Sequence, residues 1–107
     1  MKYKIFITDD AEQDFEDIYD YIANRFLSPE AASNTLQNIK LSIKKLEDFP
    51  GIGINVSHRL KRQFLSEHEL KMLISGNYLV FYTVEGEKVA ILRVLYQSRN
   101  WIEIFGN

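Results

Sequence analysis

Apolar residues along the chain change spacing between period 2 and period 3.6, and the changes divide it into elements. Tyr3, Ile5 and Ile7 alternate with Lys2, Lys4 and Thr8, which predicts a half-buried strand despite Phe6. Asp9 followed by Glu12 reads as a capping box, with Asp10 adding negative charge at the positive end of a helix. That helix carries Phe15, Ile18, Tyr19, Ile22 and Phe26 as one apolar stripe, with Glu12, Glu16, Asp17 and Asp20 mostly off it. A second helix starts at Ser28, a capping residue, followed by Pro29 at the first helical position, and stops at Phe49-Pro50-Gly51. Its Ala32, Leu36, Ile39, Ile43 and Leu46 recur every four and three residues and form a narrow seam. The short Leu27-Ser28 link between two facing seams predicts an antiparallel helical hairpin.

The second half reads as strands. Residues Ile52 to Glu69 are the least regular stretch, with Gly51, Gly53 and Asn55 favouring a loop and SHRLKRQF a short helical or irregular piece. Leu70 to Ile74 predicts a strand that turns at Ser75-Gly76-Asn77. Tyr78 to Val84 is apolar on both faces apart from Thr83, as a central strand should be. A turn at Glu85-Gly86-Glu87 leads into Val89 to Tyr96, and Trp101, Ile102, Ile104 and Phe105 suit a terminal helix folded back over the sheet. The class expected is α+β: an antiparallel β-sheet backed by an N-terminal antiparallel helical hairpin, with a short C-terminal helix, in a single domain spanning 1–107.

Composition narrows the setting. A chain of 107 residues with 46% apolar content supports one core and excludes disorder, and no apolar run reaches the roughly 20 residues of a membrane span. The start of the chain turns acidic at once without a signal-peptide core and there is no cysteine, so a cytoplasmic protein is expected. The net charge of −2 hides an asymmetry: residues 1–38 carry 8 acidic and 3 basic groups, residues 39–107 carry 7 acidic and 10 basic. Any basic patch is therefore local, which suits a protein partner better than a nucleic acid.

The chemical inventory is short. His58 and His68 are the only histidines, and no Ser-His-Asp arrangement is readable. Glu67-His68-Glu69 reads as a solvated charged turn rather than a metal site, and Gly51-Ile52-Gly53 lacks the strand and glycines of a phosphate loop. No metal, nucleotide or other cofactor is implied. What remains is a basic and aromatic constellation of Arg59, Lys61, Arg62, Lys71, Arg93, Tyr96 and Arg99. Arg93 shares a face with Val89, Ile91 and Leu95 if alternation is strict, so it needs a partner. That partner is either a carboxylate of the acidic first helix, or a phosphate or acidic surface outside the chain.

The ordered set, from SPEAASNTLQNIKLSIKKLEDFPGIG through GNYLVFYTVEGEKVAILRVLY to RVLYQSRNW, resembles the RelE/ParE superfamily of type II toxin–antitoxin toxins, most closely the ParE branch. The resemblance implies a growth-inhibiting toxin neutralised by a cognate antitoxin protein. For a ParE-like toxin it implies binding and inhibition of DNA gyrase, with Arg59, Lys61, Arg62 and Arg93 as target-binding candidates. The alternative is a RelE-like, ribosome-dependent mRNA endoribonuclease with Lys71, Arg93, Tyr96 and Arg99 as the catalytic set. By resemblance Lys71 stands where such toxins often place an arginine, and Tyr96 where a histidine is usual. The ending here reads Tyr96-Gln97-Ser98-Arg99-Asn100, so that histidine and a following aspartate are both replaced. A tyrosine, with an ordinary pKa near 10, is the poorer base.

Overall fold

The computed structural model describes residues 2–59 and 68–106, in the order β1 (Lys4–Ile7), α1 (Asp9–Arg25), α2 (Pro29–Lys44), β2 (Ile54–Asn55), β3 (Lys71–Ser75), β4 (Tyr78–Glu85), β5 (Lys88–Tyr96) and α3 (Trp101–Gly106). The sheet order is β1-β5-β4-β3-β2. Strands β2 to β5 pair antiparallel, while β1 joins the β5 edge in parallel. This is the expected α+β class, with α1 and α2 as the helical hairpin on one face and α3 on the other.

The hairpin starts one residue earlier than the capping-box reading places it. Thr8, not Asp9, is the N-cap of α1, and its Oγ1 accepts from Ala11 N–H. Threonine wins because its hydroxyl also donates to Ile91 O at 2.8 Å, joining the helix start to β5. Ser28 caps α2 as expected and Pro29 opens it. The α-helix ends at Lys44 and tightens into a 3₁₀ turn over Lys45–Glu47, so Phe49-Pro50-Gly51 lies beyond the stop. Phe26, assigned to the apolar stripe, is largely exposed because the hairpin tip projects past the sheet. Strand β2, only two residues long, was too short to leave a periodic signal within the irregular stretch.

Two clusters form the core. Phe15, Ile39, Ile43, Leu46, Val80, Tyr82, Val89, Ile91 and Val94 fill the space between hairpin and sheet. Phe81, Leu79, Leu95, Leu70 and Val56 pack with Trp101 on the opposite face. The Phe81 ring lies 5.1 Å from Trp101 and 4.9 Å from Phe105, which is what folds α3 back. Each such buried side chain contributes about 2 kcal/mol relative to exposure. Both hairpin turns are two residues long and begin with a glycine at positive φ, Gly76 and Gly86, the arrangement that matches strand twist.

Tyr82 ties the loop after α2 to the sheet. Its buried hydroxyl donates to Pro50 O and accepts from Gly53 N–H, both at 2.8 Å. Gly53 must be glycine, because a Cβ there would collide with the Tyr82 ring. Tyr82→Phe strands a donor and an acceptor, and urea unfolding should show a loss of about 2 kcal/mol. Burial raises the Tyr82 pKa above the ordinary value, more than the Gly53 hydrogen bond lowers it; Tyr78 is raised by burial first and then by Tyr96 and Tyr21. A raised folded value means that this stabilisation is complete below the unfolded pKa near 10 and is lost above it. The unfolding free energy should therefore fall above about pH 10, and less so in Tyr82→Phe.

Candidate functional site

Strand β1 pairs with β5 only as far as Ile91, so the rest of the β5 edge must be satisfied by something else. Helix α1 supplies it. Thr8 N–H donates to Ile91 O, the Thr8 hydroxyl bridges Ile91 O and Leu92 O, and Asp14 Oδ2 accepts Val94 N–H at 2.8 Å. The same carboxylate takes Arg93 Nε at 2.7 Å and Nη2 at 2.9 Å, a bidentate pair. The hydrogen bonds to Asp14 hold the Arg93 guanidinium firmly charged against the opposing effect of burial. Arg93 is thus bound internally, to the acidic first helix.

A β-bulge makes this geometry. Tyr82 pairs with Ile91 but Phe81 pairs with Arg93, so Leu92 is the extra residue. Strict alternation is broken there. Val89, Ile91 and Val94 belong to the hairpin side, while Leu92 and Leu95 pack with Phe81 and Trp101. The expectation that Leu95 shares a face with Val89 and Ile91 is corrected by that single residue. Asp14 left a readable signal, since it lies three residues after Ala11 and four before Ile18, an acid on a buried helical face.

Past the Asp14–Arg93 pair the hairpin and the sheet diverge and leave a groove of about 890 Å³. One wall is α1 and α2, with Ile18, Tyr21, Phe26 and Thr35; the other is the β3–β4 turn and the end of β5, with Tyr78, Tyr96 and Arg99. Tyr78 and Tyr96 meet edge-on with ring centroids 5.5 Å apart. Tyr96 is 45% exposed, so its face is open to the groove. Tyr21, Phe26 and Tyr78 were not singled out from the sequence as site residues: Phe26 and Tyr78 read first as core, and Tyr21 lies off the apolar stripe assigned to its helix.

The candidates are distributed as follows. Tyr96 and Arg99 lie together at the groove. Lys71 pairs with Tyr82 while Tyr96 pairs with Tyr78, which puts them two strands apart and about 13 Å apart along the sheet. Lys71 has its own neighbour, Glu69, at 3.8 Å. Arg59 lies over the Trp101 ring at 5.2 Å, on the α3 side, away from Arg93 and Asp14. Lys61 and Arg62 fall outside the described residues. His68 stands 3.3 Å from Glu85, and no group of three or more metal-ligating side chains occurs among the described residues. No helix among them is long and apolar enough to cross a membrane.

The family of ParE toxins of type II toxin–antitoxin systems, parDE, matches residues 5–101. This chain belongs to that family. The match runs from β1 to the first residue of α3 and so contains the Asp14–Arg93 pair and the groove. Solved structures agree in fold: the chromosomal ParDE system of P. aeruginosa aligns at TM-score 0.68 and 22% identity, covering 89% of this chain and 96% of that one. An archaeal RelE–RelB complex from Pyrococcus horikoshii aligns at TM-score 0.62 and 17% identity over 92% and 99%. The RelBE2 toxin–antitoxin complex of Mycobacterium tuberculosis aligns at 0.57 and 18% over 90% and 99%. No curated protein matches the sequence. In this ParE-family chain, Asp14→Ala removes the partner of both Arg93 and Val94 N–H, and chemical denaturation should show a loss of about 3 kcal/mol. Replacing Arg93 by Met in the same background should recover part of that loss, because no guanidinium is then left unpaired.

Proposed function

We propose that this ParE-family chain is the toxin of a bacterial type II module, cytoplasmic in action, that inhibits DNA gyrase by binding it. The observation that carries this reading is the dispersal of the candidate RNase groups. Metal-free cleavage of RNA needs a base, an acid and cations around one phosphate. Arg93 is occupied by Asp14, Lys71 sits about 13 Å along the sheet from Tyr96, and only Tyr96 and Arg99 share a site. Binding asks for less, and the net charge of −2 suits a protein target better than ribosomal RNA.

Neutralisation by a cognate antitoxin belongs to the same reading. The groove between hairpin and sheet, about 890 Å³ in volume and lined by aromatic and aliphatic side chains together with polar ones such as Asp17, Asn38 and Arg99, suits a segment of another chain that folds as it binds. The relatives of known structure carry ParDE, RelE–RelB and RelBE names, which fits a toxin held by a partner. A short gene beside this one should encode that partner.

The test separates binding from cleavage. Purified protein should block supercoiling by gyrase and leave mRNA on translating ribosomes intact, and Tyr96→Phe should inhibit gyrase to within about threefold of the unaltered chain, since inhibition by binding involves no proton transfer for the hydroxyl to carry out. Codon-phased mRNA cuts that vanish in Tyr96→Phe, with supercoiling unaffected, would replace this reading by the RelE-like endoribonuclease.

A further inference from the structure

The tip of the helical hairpin departs from local preference twice at one residue. Helix α1 closes on Phe26, whose N–H bonds Ile22 O, and Leu27 then takes the left-handed conformation at φ 51°. Glycine is usual at that position because a Cβ crowds the backbone there. Leu27 is also 85% exposed, more than any other large apolar side chain described. Beside it Tyr21 and Phe26 are 58% and 62% exposed, and their rings meet edge-on at 6.5 Å. A glycine or asparagine would relieve both the strain and the apolar exposure. Strain and apolar surface held together at a projecting tip point to contact with something outside the chain.

Charge indicates the kind of contact. The charged residues from Asp17 through Glu30 are Asp17, Asp20, Arg25 and Glu30, three acids to one base, all exposed. The single base, Arg25, lies over the Tyr21 ring at 5.9 Å. An apolar knob flanked by more acids than bases is disfavoured at an anionic membrane and against another copy of the same tip. It is matched by an apolar pocket walled with lysine or arginine side chains.

We propose that Tyr21, Phe26 and Leu27 form the part of this toxin that enters its protein target, as an apolar knob in a basic-walled pocket. The assignment rests on the reading of the chain as a gyrase-binding toxin. Tyr21 and Phe26 also line the groove, so an antitoxin arm lying there covers two of the three residues and neutralises by occlusion.

The experiment measures binding to purified gyrase and to the neighbouring gene's product by surface plasmon resonance, with melting temperature alongside. Leu27→Gly removes the side chain and relieves the backbone, so its melting temperature should equal or exceed that of the unaltered chain. Its affinity for gyrase should fall at least about tenfold, the loss expected of a contact that matters, while antitoxin affinity stays within about threefold. Leu27→Lys should fold and bind gyrase no better than Leu27→Gly, because basic walls repel a cation. Unchanged gyrase affinity in Leu27→Gly overturns the proposal and leaves the gyrase reading intact. Equal losses toward gyrase and antitoxin overturn it too, since the tip would then act through the shared groove. Failure of the unaltered chain to bind gyrase overturns the functional reading, and the occupant named here with it.

Discussion

One carboxylate decides how the two halves of this molecule meet. Strand β1 ends before β5 does, and an unsatisfied strand edge next to a core is costly. Asp14 reaches from α1 to that edge and accepts Val94 N–H together with two donors of Arg93. The side chain thereby takes the place of the next residue of β1. It also fixes where α1 lies against the sheet, because helix and strand are joined both at Thr8 and at Asp14, nearly two turns apart along the helix.

The site follows from that attachment. With α1 held at its N-terminal half, its C-terminal half and the start of α2 run on past the end of β5, and the groove opens between them. The same projection leaves the hairpin tip in solvent. Tyr82 performs a similar service toward the opposite edge of the sheet, fastening Pro50 and Gly53 so that the chain re-enters the sheet as β2. Arg93 serves the fold by filling Asp14, which leaves Tyr96 and Arg99 as the groups of the candidate set that face the groove.

Much of this was legible from spacing. The helical hairpin, the two long strands, their glycine turns and the folded-back α3 all follow from apolar periodicity and turn residues, and each appears where that pattern puts it to within a few residues. The pairing of Arg93 with the acidic helix was one of two readings left open by its apolar setting. The bulge at Leu92 was not legible, because an extra residue in an otherwise apolar strand changes no local preference and is set by the partner strand. Nor was the groove, since Phe26 and Tyr78 sit at spacings that equally suit a core, and only the divergence of hairpin and sheet uncovers them. The choice of Thr8 over Asp9 as cap depended on Ile91, a contact 83 residues away in sequence.

The central claim is that Asp14 completes the edge of β5 and so holds Arg93 within the fold. Amide hydrogen exchange at Val94 tests it most directly. That N–H faces no strand, yet it should exchange as slowly as the amides of the β4–β5 ladder and open only with global unfolding. Exchange at Val94 as fast as at a frayed strand end would mean that the carboxylate does not close the edge, and Arg93 would then be available to a partner.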